Sequence, residues 1–293
     1  MTYNLLSKKL SEIKREQRVY TMFDKRFPHQ RKEFSQSQAD VLCLQECDNY
    51  EQCYKPMLQK LGYSMVAVTK KHRQEHLVVA YKTARFECLA SQEVDFDELA
   101  PSALSQFAKH NKAQLVGLRV LEESKKVLVV ANTQLYYNPD LDSLKFAQTY
   151  LLLRKLAAFS QQFEDASLLM GCDLNSEPWA SAAKLILDGQ CGESDWQYRR
   201  VYENYKRVLK QGKYSFMHKA LKSAYREAGS EENTMYTKLF TGQIDYLFYS
   251  HKSLGLAGVL QLPEEHVVRQ DCCLPSKRFP SDHLRLEAKF YFK

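Results

Sequence analysis

The chain has 293 residues, 44% of them hydrophobic, with only 10 glycines and 8 prolines. That is enough apolar material for one large core, and no stretch is biased enough to be a linker or a disordered tail. The net charge of +7 is compatible with a polyanionic partner but does not select one. The eight cysteines form no Cys-x-x-Cys pair, which argues against zinc and a disulfide framework and for a reducing, cytoplasmic setting.

The N-terminus, MTYNLLSKKL, lacks the apolar region of a signal peptide and reads as a strand that begins at once. Ala39–Leu44 is a compact apolar run suited to a buried strand. Cys53–Leu61 reads as a short helix closed by Gly62. Strands follow at Tyr63–Val68, His76–Tyr81 and Phe86–Val94, the first two joined by the polar stretch Lys70–Glu75. Gln114–Leu121 and Lys126–Thr133 form a hairpin around Glu122–Lys125. Asp142–Phe163 is the strongest helix, with Leu144, Leu151, Leu152 and Phe159 at helical spacing and Asp142 able to cap its start. Ser167–Gly171 is again a strand, followed by a helix starting near Trp179. Ile244–Tyr249 and Glu287–Phe292 are the last strands, while helix boundaries between Asp195 and Glu232 are open. No run is apolar for long enough to span a bilayer. The order of elements suggests two facing sheets with helices outside, as one domain over 1–293.

Polar clusters stand at the ends of these apolar runs, where a rigid sheet can fix the geometry of loops. They are Asn4 in TYNLL, Gln45–Glu46 in LCLQE, Asp173 and Asn175 in GCDLNSEP, and Ser281–Asp282–His283 in PSDHLRL. Glu46 can cap the next helix or bind a cation. Asp173 and Asn175 can hold a turn by their own side chains, or pair a water-activating carboxylate with a phosphate-binding amide. Asp245 sits inside GQIDYLFYS and, if buried, needs a partner. A carboxylate on His283 Nδ1 would fix its tautomer and favour its protonated form.

Together the clusters resemble, in identity and order, the exonuclease–endonuclease–phosphatase superfamily, and most nearly its deadenylase branch of carbon catabolite repressor 4, Angel, nocturnin and 2′-phosphodiesterase proteins. The segments are TYNLL (Thr2–Leu6), ADVLCLQE (Ala39–Glu46), VANTQLYYNP (Val130–Pro139) with Lys145 and Gln148, GCDLNSEP (Gly171–Pro178), LKSAY (Leu221–Tyr225), FTGQIDYLFYS (Phe240–Ser250) and FPSDHLRL (Phe279–Leu286). The resemblance implies an α/β (α+β) fold, a four-layer α/β/β/α sandwich of two facing mixed sheets like that of DNase I. It implies Glu46 as the ligand of Mg²⁺, for which Mn²⁺ can substitute. Asp173 would orient or deprotonate water, Asn175 would hold a phosphate oxygen, and Asp245 would join the metal and phosphate cluster. His283 would contact the scissile phosphate with Asp282 beside it, Asn4 would bind near phosphate or metal, and Pro139 and Phe240 would flank the terminal base.

Two departures matter. Gln134 stands where the family usually has His, and an amide cannot become cationic; the expected cost is about 10²–10³-fold in rate if the donor acts as an oxyanion-hole group. Glu75–His76 replaces an Asp-Gly often found before the next strand, with His76 read as a rim residue. The implied activity is 3′→5′ exoribonuclease action on single-stranded RNA 3′ ends, with poly(A) as one candidate. The alternatives are a phosphodiesterase or phosphatase for 2′,5′-oligoadenylate, 2′,3′-cyclic phosphate ends or a dinucleotide phosphate, and an inactive RNA-binding module. The sequence points to no membrane and names no protein partner.

Overall fold

The computed structural model describes residues 1–8, 18–70, 74–99, 108–191, 199, 214–215 and 221–293. β1 (Thr2–Asn4), β2 (Val41–Cys47), β3 (Tyr63–Thr69) and β4 (His76–Lys82) form a sheet in the order β1-β2-β4-β3. β1 runs parallel to β2, and the other pairs are antiparallel. β5 (Phe86–Asp95), β6 (Lys112–Val120), β7 (Val127–Gln134) and β8 (Ser167–Asp173) join Asp245–Tyr249 and Lys222–Ser223 in a six-stranded sheet. Its order is Lys222–Ser223, Asp245–Tyr249, β8, β7, β6, β5, with β7 and β8 parallel.

The two sheets pack face to face. Val41, Val79 and Tyr81 from one meet Val116, Val130 and Leu247 from the other in a shared core. Outside the six-stranded sheet, the helix Asp142–Ser160 buries Leu144, Tyr150 and Leu152 against Leu115, Val129 and Met170. Outside the smaller sheet, Phe34 of the helix Phe23–Gln36 packs with Tyr54 and Leu58 on Leu42, Leu44 and Val78. The layers are therefore helix, sheet, sheet, helix, as the resemblance implied. At Gly171 a Cβ would lie 2.7 Å from the Cys43 side chain and 3.0 Å from Thr2 Cβ. A bare α-carbon lets the sheets approach there, just before Asp173.

Most strands lie where the apolar runs placed them. β2 extends past Leu44 to include Gln45 and Glu46. The helix expected over Cys53–Leu61 begins earlier, as a π-type turn over Tyr50–Tyr54 continuing into Lys55–Lys60, with Gly62 at φ +80 just beyond. Asp142 does not cap its helix: the cap position is Leu141, and Asp142 Oδ2 accepts from Ser181 Oγ at 2.7 Å. The helix near Trp179 is Ser181–Asp188. Ala288–Phe292 pairs with Leu254–Val259 in a separate two-stranded ribbon. Much of Asp195–Glu232, where helix boundaries were open, lies outside the described residues, as do residues 71–73 of the polar stretch after β3.

Candidate active site

Four strands from both sheets end at one rim. β1 brings Asn4, β2 brings Glu46, β7 ends on Gln134 and β8 on Asp173; Asp245 opens the strand that pairs with β8 directly opposite Asp173. The parallel register also sets Gln134 beside Asp173. Buried amides lock the sheets together immediately below. Gln45 Nε2 donates to Asn132 Oδ1 at 2.8 Å, and Asn132 Nδ2 donates to the Leu44 and Val78 carbonyls at 3.0 and 3.1 Å.

Glu46 reaches the rim through a local distortion. The β2–β4 register shifts between Leu44 and Cys47, and Glu46 has φ +53. A bulge of this kind re-aims a side chain, and left-handed backbone costs a non-glycine residue on the order of 1–2 kcal/mol. Surrounding bonds hold it there: Ser7 N–H donates to Glu46 Oε2 at 2.8 Å, and Asn4 Nδ2 and Gln134 Nε2 donate to Oε1 at 3.0 and 2.6 Å. The same two amides also donate to Asp173 Oδ2, at 2.9 and 3.1 Å. Asn4 and Gln134 thus bridge Glu46 and Asp173. Asn4 is itself fixed, with Oδ1 accepting from Leu6 N–H at 2.9 Å and its carbonyl accepting from Ser281 Oγ at 2.7 Å.

Asp173 Oδ1 accepts from Asn175 N–H at 2.9 Å, which closes the tight turn. Asn175 has φ +47, and its Nδ2 donates to the Leu135 carbonyl at 3.0 Å rather than toward the carboxylates. Lys145 Nζ donates to the Asn175 carbonyl at 2.7 Å, so the long helix braces this turn.

The partner that buried Asp245 requires is His283. His283 Nδ1 lies 2.8 Å from Asp245 Oδ2, which also accepts from Thr234 Oγ1 at 2.7 Å. Asp282 stands at the other side of the ring, its Oδ1 4.0 Å from Nε2. The residue that orients His283 is therefore Asp245, 38 positions away. Burial works against charge on His283, but Asp245 and Asp282 outweigh it and push the imidazole up to about 10. Burial and the nearby Asp245 raise Asp173 to about 6, against the lowering pull of His283 and Asn4.

Asp173, Asp245 and His283 present ligand atoms all within 4.8 Å of one another. A metal ligand must be deprotonated, so a cationic His283 serves better as a counter-charge than as a ligand. Oxygen donors remain: Glu46, Asp173 and Asp245, whose Oδ1 is buried without a hydrogen-bond partner among the described residues. That set suits a hard cation that keeps several of its waters.

Pro139 and Phe240, expected to flank the terminal base, lie on separate loops. Pro139 starts a single turn over Pro139–Leu141 and is exposed. Phe240 is half-buried in the hairpin joining Met235–Tyr236 to Thr241–Gly242, and a Cβ on Gly242 would meet its ring at 2.5 Å. That hairpin packs on the terminal motif: Tyr236 N–H donates to the Asp282 carbonyl at 3.2 Å and Leu284 N–H to the Thr234 carbonyl at 2.7 Å. His76 lies at the edge, its ring 5.0 Å from that of Tyr50 and its Nδ1 3.2 Å from the Cys47 carbonyl. Thr234 and Lys70, whose Nζ donates to Gln134 Oε1, are contributors that no motif marked.

Residues 1–283 match the Endonuclease/Exonuclease/phosphatase family. The chain is 28% identical to a probable CCR4-Not complex 3′-5′-exoribonuclease subunit Ccr4 of Vairimorpha ceranae (strain BRL01), over 87% of this chain and 55% of that protein. It is also 28% identical to the 2′,5′-phosphodiesterase 12 of Mus musculus, over 89% of this chain and 45% of that one. The chain spans about half the length of these two relatives. The structure of ANGEL2, a 2′,3′-cyclic phosphatase, superposes with a TM-score of 0.83 at 24% identity, covering 99% of this chain and 94% of that one. The human nocturnin catalytic domain gives 0.71 at 22% identity, covering 99% and 93%. These two share its fold, and the names fall in the deadenylase branch that the order of motifs resembles. By the match over 1–283 and the carboxylate–amide rim it encloses, the chain belongs to the Endonuclease/Exonuclease/phosphatase family.

Proposed function

We propose that this chain is a Mg²⁺-dependent phosphodiesterase that hydrolyses RNA from its 3′ end. The observation that carries the reading is the convergence of Glu46, Asp173, Asp245 and His283, linked by Asn4 and Gln134, on one rim. Glu46 would hold the cation, with Asp173 and Asp245 beside it. When bound, the cation supplies charge that neutralises the phosphodiester and its developing negative oxygens.

The chain's own groups account for the rest. Asp173, raised to about 6, is ionised at neutral pH and basic enough to orient a water and accept its proton. His283, held through Nδ1 by Asp245 and with Asp282 Oδ1 4.0 Å from Nε2, would turn Nε2–H to a phosphoryl oxygen as a cation. The amides of Asn4 and Gln134, each donating to both Glu46 and Asp173, hold these two carboxylates in a fixed relation, so that their placement costs no reorganisation during reaction. No covalent nucleophile is needed. Phe240 and Pro139 are placed in this reading as supports for the terminal base, since stacking tolerates any base.

The relatives support phosphodiester hydrolysis and divide over the substrate, an exoribonuclease subunit on one side and a 2′,5′-phosphodiesterase on the other. The deciding assay incubates the protein with 5′-labelled oligo(A), non-adenylated RNA, 2′,5′-oligoadenylate and RNA ending in a 2′,3′-cyclic phosphate, with Mg²⁺ or with EDTA. Mg²⁺-dependent loss of single 3′ nucleotides supports the proposal. Cleavage confined to the last two substrates moves the assignment to that chemistry. Intact substrates throughout overturn the hydrolytic reading and favour a binding module.

A further inference from the structure

Gln134 has a buried lysine behind it. Lys70 follows the last residue of β3 and is 2% exposed. Its Nζ donates to Gln134 Oε1 and lies 3.5 Å from Glu75 Oε2. The loop is closed by Lys70 N–H donating to the Glu75 carbonyl at 3.1 Å. The charge that burial would otherwise isolate thus has a counter-ion on the same short loop.

A carboxamide has an acceptor end and a donor end, an ammonium only donates, and a carboxylate only accepts. Gln134 lies between one ammonium and two carboxylates. Its Oε1 faces Lys70, and its Nε2 faces Glu46 Oε1 at 2.6 Å and Asp173 Oδ2 at 3.1 Å. Turning the amide over would set oxygen against two carboxylates and NH₂ against the ammonium, so one orientation is selected. The arrangement also bears on the residue type. An imidazolium at this position would carry its own positive charge, and an amide does not. Here a cation one hydrogen bond away polarises the amide, and in a low-dielectric interior such chains strengthen their members.

We propose that Lys70 is a positioning residue that, through Gln134, supplies the oriented and polarised donor that an imidazole would otherwise provide at the hydrolytic site. The proposal rests on the hydrolytic reading above for its consequence, but the Lys70–Gln134 coupling itself can be measured without any substrate. Because Lys70→Met alone removes the cation 3.5 Å from buried Glu75, the test variant is Lys70→Met with Glu75→Gln. In the amide NMR spectrum, the side-chain resonances of Gln134, identified by their loss in Gln134→Ala, are expected to shift in the paired variant. Unchanged resonances overturn the proposal whether or not any substrate is cleaved. In the RNA assay the paired variant should lower kcat about 10- to 100-fold, with KM changed less than about threefold, as for partners that orient a metal site's inner residues. In a Gln134→Ala background the same pair should lower kcat by less than about twofold, since coupled residues are not additive. Full additivity overturns the route through Gln134. Absence of hydrolysis by the wild type overturns the hydrolytic reading and leaves the NMR result to decide the coupling.

Discussion

Two groups of carboxylates in this molecule, one partly buried and one buried, have their charge met in different ways. Near the join of β1, the helix Phe23–Gln36 and the C-terminal segment, Glu33 accepts from Tyr3 Oη at 3.0 Å and lies 3.4 Å from Arg285, which sits 2.8 Å from Glu287. Ser37 Oγ donates to Glu287 at 3.1 Å. One guanidinium serves two carboxylates there, and burial pushes Glu33 up to about 7, so the group approaches neutrality by holding a proton. At the rim, Glu46, Asp173, Asp245 and Asp282 gather around one imidazole and two bridging amides. The imidazole takes up charge, and among the described residues Asp245 Oδ1 has no hydrogen-bond partner. Burial of acids alone therefore does not mark a site. The rim differs in that Asp173, Asp245 and His283 present ligand atoms within 4.8 Å of one another, a donor set that could hold a cation.

The comparison breaks most sharply at Asp173. Asp173→Asn keeps the shape and the turn to Asn175 but removes the carboxylate proposed to accept the proton of water, and kcat is expected to fall about 10²–10⁴-fold. A variant that retains wild-type turnover on RNA would place the base elsewhere. In the wild type, activity should fall on the acid side as Asp173 gains its proton, near pH 6 without the cation and lower with it, since adjacent positive charge holds the proton off.

His283→Gln tests the other half of the balance. It retains one donor toward Asp245 and removes the positive charge, so kcat should drop about 10²–10³-fold if the imidazolium meets the phosphoryl oxygen. With His283 at about 10, the wild type should keep this contribution through neutral and mildly alkaline pH and lose it only as pH rises toward that value. An alkaline loss centred near pH 7 would refute the assigned charge. Phe240→Ala should act on binding alone, raising KM by the equivalent of about 1–3 kcal/mol for one base while leaving kcat near wild type. An unchanged KM on oligo(A) would remove Phe240 from the substrate path.

The residues of the rim were legible where a polar side chain ends or interrupts an apolar run. Asn4, Glu46, Asp173 and Asp245 all do so, and His283 follows an acid in a recognisable motif. Their pairing was not. Asp282 is adjacent to His283 in sequence, yet Asp245 makes the bond at 2.8 Å, because the strand Asp245–Tyr249 opens where the terminal motif returns. Thr234 and Lys70 left no trace, each being one polar residue in a polar loop whose role depends on contacts 11 and 64 positions away. The helix Phe23–Gln36 escaped for a related reason. It carries Pro28 within it and turns Arg26 and Gln30 inward, where they donate to the Leu5 carbonyl at 2.7 and 2.9 Å. Its buried face is therefore partly polar, and apolar periodicity does not register it. The strand Leu254–Val259 holds two glycines among six residues, which weakens any strand pattern.

The smallest effect on activity, and the clearest on stability, belongs to Glu33. Its ordinary value is 4.5, and in the fold it rises to about 7, chiefly by burial, with Glu287 adding and Arg285 and Tyr3 opposing. The folded chain thus binds this proton more tightly than the unfolded chain does. Below about pH 4.5 both states hold it and the contribution is complete. As pH climbs toward 7 the unfolded state releases its proton while the folded state does not, so stability declines across that window and then levels off. The full span corresponds to at most about 3 kcal/mol. Glu33→Gln keeps an acceptor for Tyr3 and has no proton to lose. Urea unfolding at pH 5 and pH 8 should show a smaller drop for the variant than for the wild type, with RNA turnover unchanged. An equal drop in both proteins would mean that Glu33 is ionised in the fold at neutral pH, and that the contrast between its surroundings and the rim lies in geometry alone.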